Sequence, residues 1–168
     1  MPRFVWLFMM NSLVIFTLMA VMGFRINISE SYPVGIYIRV DGEHTKNNLV
    51  ESCLPEKIAQ LMVERSYIPN AGNCGGYPAV IKQIFGVAGD HVVVGENVSI
   101  NGTAIPNTPS RATDNKNRVL TPANDTVIDK EHVWLMANVV PNSYDARYFG
   151  QTPVELIISN LKPVWIKE

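Results

Sequence analysis

The feature that most constrains this chain is an apolar run from Phe4 to Phe24, 21 uncharged residues bounded by Arg3 and Arg25 and relieved only by Asn11, Ser12 and Thr17. A hydrocarbon core about 30 Å thick takes roughly 20 helical residues at about 1.5 Å each, whereas the apolar part of a cleavable signal peptide is usually about 7–15 residues long. The run therefore reads as a single N-terminal transmembrane helix that is retained, with residues 1–25 as an anchor. Its rival is a signal peptide cut after Ala20 or Gly23, which lacks the A-x-A pattern such sites carry. One Arg on each side gives the positive-inside rule almost nothing to count, so orientation has to come from elsewhere.

Residues 26–168 are enough for one domain with its own core. A net charge of −1, from 14 basic and 15 acidic residues, supplies no general affinity for nucleic acid. The two cysteines, Cys53 and Cys74, belong to no C-x-x-C pair and to no Cys/His ligand cluster. They suit one disulfide, which on the loop-entropy account would stabilise the domain by about 3 kcal/mol and would persist only in an oxidising compartment, the periplasm in a bacterium. Two buried free thiols acting as small apolar residues are the alternative.

Much of the domain reads as strand. Gly35–Val40, Pro78–Phe85, His91–Val94, Val98–Ile100 and His132–Ala137 are short, β-branched or aromatic, and bounded by Gly, Asn, Asp or Pro. Asn101-Gly102 is a two-residue turn signal, which predicts a hairpin over Val98–Ile105. One helix is expected from Pro55 to Arg65, where Ile58, Ala59, Leu61 and Met62 form an apolar stripe behind a first-turn proline. Pro106 to Asp125 is polar and reads as a long exposed connection. The class is mainly β and antiparallel, with one or two short helices.

Few groups offer chemistry. His44, His91 and His132 lack metal-site spacing, and no Gly-rich phosphate loop or H-E-x-x-H occurs, so neither a metal nor a cofactor is expected. A His-assisted serine is open on spacing alone, but none of the three sits in a recognisable setting, and surface or satisfied-core histidine is the plainer reading. Lys82 is a candidate base, since a strand period of two sets it on one face with Val80 and Ile84. Burial there would lower its pKa and free an amine to take a serine proton, while an exposed lysine lying over apolar neighbours is the ordinary alternative. Ser31 lies six residues beyond Arg25, at most about 20 Å of extended chain, so a nucleophile there would stay near a membrane surface. A serine beside Pro and Gly is otherwise a turn residue.

Three segments in order change the weight of these residues. They are Ser31-Tyr32-Pro33-Val34-Gly35-Ile36-Tyr37, then Ile81-Lys82-Gln83-Ile84-Phe85-Gly86-Val87-Ala88-Gly89-Asp90, then Asn142-Ser143-Tyr144-Asp145-Ala146-Arg147-Tyr148-Phe149-Gly150. Together they resemble the boxes of type I signal peptidases, and more closely the TraF-type branch that matures plasmid pilins. Pro two positions after the serine, where ordinary leader peptidases carry it three after, favours that branch. So do the segments around Cys53 and Cys74, which look like its paired cysteine segments. The resemblance implies a signal-peptidase-like β-sheet domain and a Ser/Lys dyad with Ser31 as nucleophile and Lys82 as general base. It implies Ser29 and the Ser31 backbone N–H as oxyanion donors, Ser143 orienting the lysine, and Asp145 and Arg147 organising the site. Gln83 in place of a basic residue, Ala137-Asn138 in place of Gly-Asp-Asn and Ala146 in place of serine depart from the usual pattern.

The expected protein is thus a single-pass inner-membrane serine peptidase with a periplasmic domain over residues 26–168. Its expected partners are an anchored pilin or propilin, membrane lipid, and other conjugation or type IV secretion components, but no nucleic acid. A general leader peptidase and a catalytically silent membrane-anchored scaffold are the competing readings.

Overall fold

A computed structural model describes residues 3–29 and 31–167. The apolar run is helical from Arg3 to Val21 (α1), 19 residues, and among the described residues no helix is long and apolar enough to cross a membrane. The helix stops short of the expected boundary. Gly23 takes a φ of +85°, a left-handed value that ends the helix, and Phe24 and Arg25 enter strand β1, Phe24–Asn27. The segment leading to Ser31 is therefore a sheet strand for its first half, not a free tether.

The remaining strands are β2 Gly35–Val40, β3 Leu49–Ser52, β4 Val80–Val87, β5 His91–Val94, β6 Val98–Ile100, β7 Thr103–Ala104, β8 Thr126–Val127, β9 His132–Met136, β10 Thr152–Pro153 and β11 Ile157–Ile166. Two further helices are α2, Glu56–Glu64, and the single turn α3, Ala146–Phe149. Seven strands form one sheet in the order β1-β2-β11-β3-β4-β9-β10, and four form a second in the order β7-β6-β5-β8. All pairings are antiparallel. The expected mainly β, antiparallel class with few short helices is what the chain adopts.

The non-local step is β11, which comes from the far end of the chain and inserts between β2 and β3, two strands consecutive in sequence. Its path explains Gly35: a Cβ there would lie 2.2 Å from the Trp165 carbonyl oxygen and 2.8 Å from Ile166 Cα. At the β6–β7 hairpin Asn101 and Gly102 take φ of +51° and +79°, the left-handed pair that an Asn-Gly turn uses.

β4 sits inside the larger sheet and alternates strictly, with Val80, Lys82, Ile84 and Gly86 buried. Ile84 packs with Val50, Val133, Leu135 and Ile157, and Val80 packs with Leu54, Ala59 and Met62 under α2. Cys53, just after β3, and Cys74, beyond α2, are joined in a disulfide with Cα atoms 5.5 Å apart. The bond closes a 21-residue separation around α2 and so fastens that helix beside the strands it covers.

Candidate active site

Lys82 is directed inward by the alternation of β4, opposite Val50 on β3, and is only 2% exposed. Its Nζ donates to Ser143 Oγ at 2.6 Å. Burial pulls its pKa from 10.5 down to about 8; the nearby Asp145 charge works against that fall and the Arg147 charge assists it. An amine in this state exchanges its proton close to physiological pH, as a general base requires.

Ser143 is held in place by Asp145 and Arg147. Arg147, fully buried on α3, donates from Nη2 to the Ser143 carbonyl at 2.9 Å and from Nη1 to the carbonyls of Pro141 and Pro109 at 2.9 and 3.1 Å. Its Nε and Nη2 also grip the Asp145 carboxylate at 2.8 and 2.9 Å. Asp145, itself fully buried, accepts from the Arg147 N–H as the α3 N-cap and from the Ala137 N–H at the end of β9. A buried ion pair whose remaining donors and oxygens all find partners is one whose desolvation is offset. It fixes the 137–143 connection, and with it the hydroxyl that receives Lys82.

Ser29 and Ser31 lie in the connection between β1 and β2. Their hydroxyls are 2.9 Å apart, and the Ser31 N–H donates to Ser29 Oγ at 3.3 Å. Among the described residues no hydrogen bond joins Ser31 to Lys82. The expected site residues thus form two groups: Lys82, Ser143, Asp145 and Arg147 in the interior, and Ser29 with Ser31 in the loop. Tyr32, next to Ser31, and Ile81, next to Lys82, pack against the same cluster of Tyr37, Leu49 and Leu161.

Sequence reasoning passes over Asn27. It ends β1, and its side chain engages the carbonyls of Ser29, Tyr32 and Pro33. An Asn that leaves a strand into a Ser- and Pro-containing loop is the available signal, since such side chains bond nearby backbone. The histidines lie apart from this chemistry: His44 bonds Asn160 and His132 bonds the Lys130 carbonyl. Among the described residues no cluster of three or more His, Cys, Asp or Glu is placed to hold a metal ion.

Known proteins of similar sequence point the same way. The family described as signal peptidase, peptidase S26, matches residues 3–166. A probable conjugal transfer protein TraF of Sinorhizobium fredii is 31% identical over 139 residues, covering 81% of this chain and 73% of the relative. A plasmid transfer protein TraF of Escherichia coli is 32% identical over 147 residues, 84% of this chain and 82% of that one. A solved signal peptidase I from Enterococcus faecalis covers 73% of this chain and 100% of its own at 16% identity, with a TM-score of 0.43. With nearly the whole length matched and relatives of one kind at about a third identity, this chain belongs to the signal peptidase family, peptidase S26, a family of serine peptidases, and within it to the TraF-type proteins.

Proposed function

We propose that this chain is a membrane-anchored serine endopeptidase of a conjugative transfer system that matures a pilin precursor. The observation that carries the reading is Lys82: an amine in a sheet interior, held near a pKa of 8 by burial and directed at one hydroxyl, is costly to keep unless it moves protons. The conjugal-transfer relatives supply the setting.

In this mechanism Lys82, neutral, accepts the Ser31 hydroxyl proton as Ser31 Oγ bonds to the scissile carbonyl carbon. The oxyanion is met by the Ser31 N–H and the Ser29 hydroxyl, which requires Ser29 to release the two contacts it makes with Ser31 at rest. Lys82 then returns the proton to the leaving amine, and an acyl-enzyme remains on Ser31. Water releases a trimmed linear pilin, whereas the pilin's own amino terminus releases a cyclic one. Ser143 orients the amine, and Asp145 and Arg147 hold Ser143.

Residues 1–25 serve as the anchor in this reading, which rests on the uncharged run Phe4–Phe24 and on the exposed Trp6, Met9, Met10, Leu13, Val14 and Leu18 of α1, although α1 by itself falls short of a spanning helix. The Cys53–Cys74 disulfide supports a periplasmic domain on the bacterial inner membrane. Membrane lipid, the anchored precursor and other parts of the transfer apparatus are the partners this implies. Ser31→Ala and Lys82→Ala are expected to abolish maturation of the precursor while leaving the thermal midpoint near wild type; normal maturation in either variant would favour a scaffold instead. Intact mass of the product separates the release routes, since a cyclic pilin is lighter than the trimmed linear chain by one water. Cleavage of unrelated secretory precursors would mark a general leader peptidase.

A further inference from the structure

We propose that Asn27 is a positioning residue that sets the conformation of the loop carrying Ser31, an inference that rests on Ser31 being the nucleophile. Asn27 is 6% exposed. Its Oδ1 accepts the Ser29 N–H at 3.1 Å, and its Nδ2 reaches the carbonyls of Ser29 at 3.0 Å, Tyr32 at 2.9 Å and Pro33 at 3.0 Å. One carboxamide therefore bonds the backbone on both sides of Ser31. Tyr37, buried on β2, adds a hydroxyl that donates to the same Pro33 carbonyl at 2.6 Å.

Apart from the Tyr32 side chain, which packs against Tyr37, Leu49 and Leu161, the loop has little else to fix it among the described residues. Between the β1–β2 ladder, which ends at the Asn27–Gly35 pair, and Ser31, no backbone–backbone bond forms among the described residues, and only Val34 is tied elsewhere, by the Lys167 N–H. A chain without ladder bonds samples many conformations. Nucleophilic attack needs Ser31 Oγ and the Ser31 N–H held together against one carbonyl, and a displacement of about 1 Å can cost roughly a hundredfold in rate. The carboxamide supplies the missing order from a strand end that is itself anchored: Arg25 on β1 and Arg39 on β2 both grip the buried Glu51 carboxylate on β3. The clamp acts on the nucleophile loop alone. Among the described residues it makes no hydrogen bond to Lys82, Ser143 or Asp145, so its loss leaves the hydrogen bonding of the proton-transfer group as it was.

The test compares Asn27→Ala and the isosteric Asn27→Asp in the full chain, in detergent micelles, acting on the pilin precursor of its own transfer system. Asn27→Asp keeps an acceptor for the Ser29 N–H but sets an oxygen against three carbonyls. Both variants are expected to lose at least about tenfold in kcat, with KM within about twofold. The midpoint of the acidic limb should be unchanged because Lys82 is untouched. Amide exchange should quicken across residues 28–34 and not in β4 or β9. Wild-type kcat in Asn27→Ala beside an inactive Ser31→Ala overturns the clamp alone. A kcat loss accompanied by faster exchange throughout the sheet, in both variants, also overturns it, because the role is then structural. If Ser31→Ala cleaves like wild type, the nucleophile assignment falls and takes the clamp's catalytic role with it.

Discussion

The Lys82 amine is placed where its charged form is costly, and that cost is measurable in two ways. Folded, it gives up its proton near 8; unfolded, it keeps it to about 10.5. Between those values the unfolded chain binds more protons, so stability rises with pH, and below about 8 the full penalty applies. At about 1.4 kcal/mol per unit the penalty at neutral pH is on the order of 3 kcal/mol, offset in part by the bond to Ser143. Lys82→Met, similar in shape and uncharged, is expected to be inactive yet to raise the thermal midpoint at pH 7, the gain shrinking as pH climbs toward 10.5. A midpoint lowered at neutral pH would mean the ammonium is better solvated than its burial indicates. Under the proposed mechanism the same titration sets the activity profile: kcat/KM on the precursor should rise with pH through a midpoint near 8, as the neutral amine appears.

At the scale of elements, Gly35 offers the sharpest test, because β2 and β11 approach so closely there that a Cβ would meet backbone, not a side chain that could yield. Gly35→Ala should separate the β2–β11 end, cost about 1–3 kcal/mol in denaturant unfolding, and quicken exchange of the Lys167 amide that bonds Val34. An unchanged stability would show that the strand end gives way freely. Gly35 also illustrates what the sequence can and cannot say. In the motif it is a single letter, and its physical reason is Trp165 and Ile166 at the far end of the chain. Gly35–Val40, His91–Val94 and Val98–Ile100 are legible to the residue because each is β-branched or aromatic, bounded by turn residues, and pairs with a neighbour close in sequence. β3 is not, because all four of its residues are buried and one is the ion-paired Glu51, which erases the alternation. Nor is β11, where Lys162 and Pro163 interrupt the apolar pattern at the point where its register shifts. β1 merges into the apolar run because Phe24 suits a helix as well as a strand. In the candidate site, the ordered motifs hold Ser31, Lys82, Ser143, Asp145 and Arg147, but the Asn27 clamp leaves no periodicity to read.

For the molecule as a whole, the large exposed apolar side chains concentrate on α1 and on the strands beside it in the sheet. Beyond the helix, Ile26 and Ile28 are 59% and 84% exposed and Trp165 58%. Ile26 and Trp165 both pair with Ile36 and so form one cross-strand row on β1, β2 and β11. A soluble domain has no evident reason to gather such a row beside an apolar helix, and the aromatic-plus-aliphatic set suits a bilayer interface. If α1 spans the bilayer, the full chain remains with the membrane fraction after alkaline carbonate extraction, since a spanning helix is effectively irreversible; release into the supernatant would reduce α1 to an interfacial helix. If the Ile26–Ile36–Trp165 row meets the lipid surface, it acts on the domain's tilt instead. Trp165→Asp should therefore leave carbonate resistance intact while lowering turnover of precursor embedded in vesicles, and should matter less for precursor in micelles, where no fixed plane sets the height of Ser31. Equal effects in both would place Trp165 in the sheet's stability and not at the lipid surface.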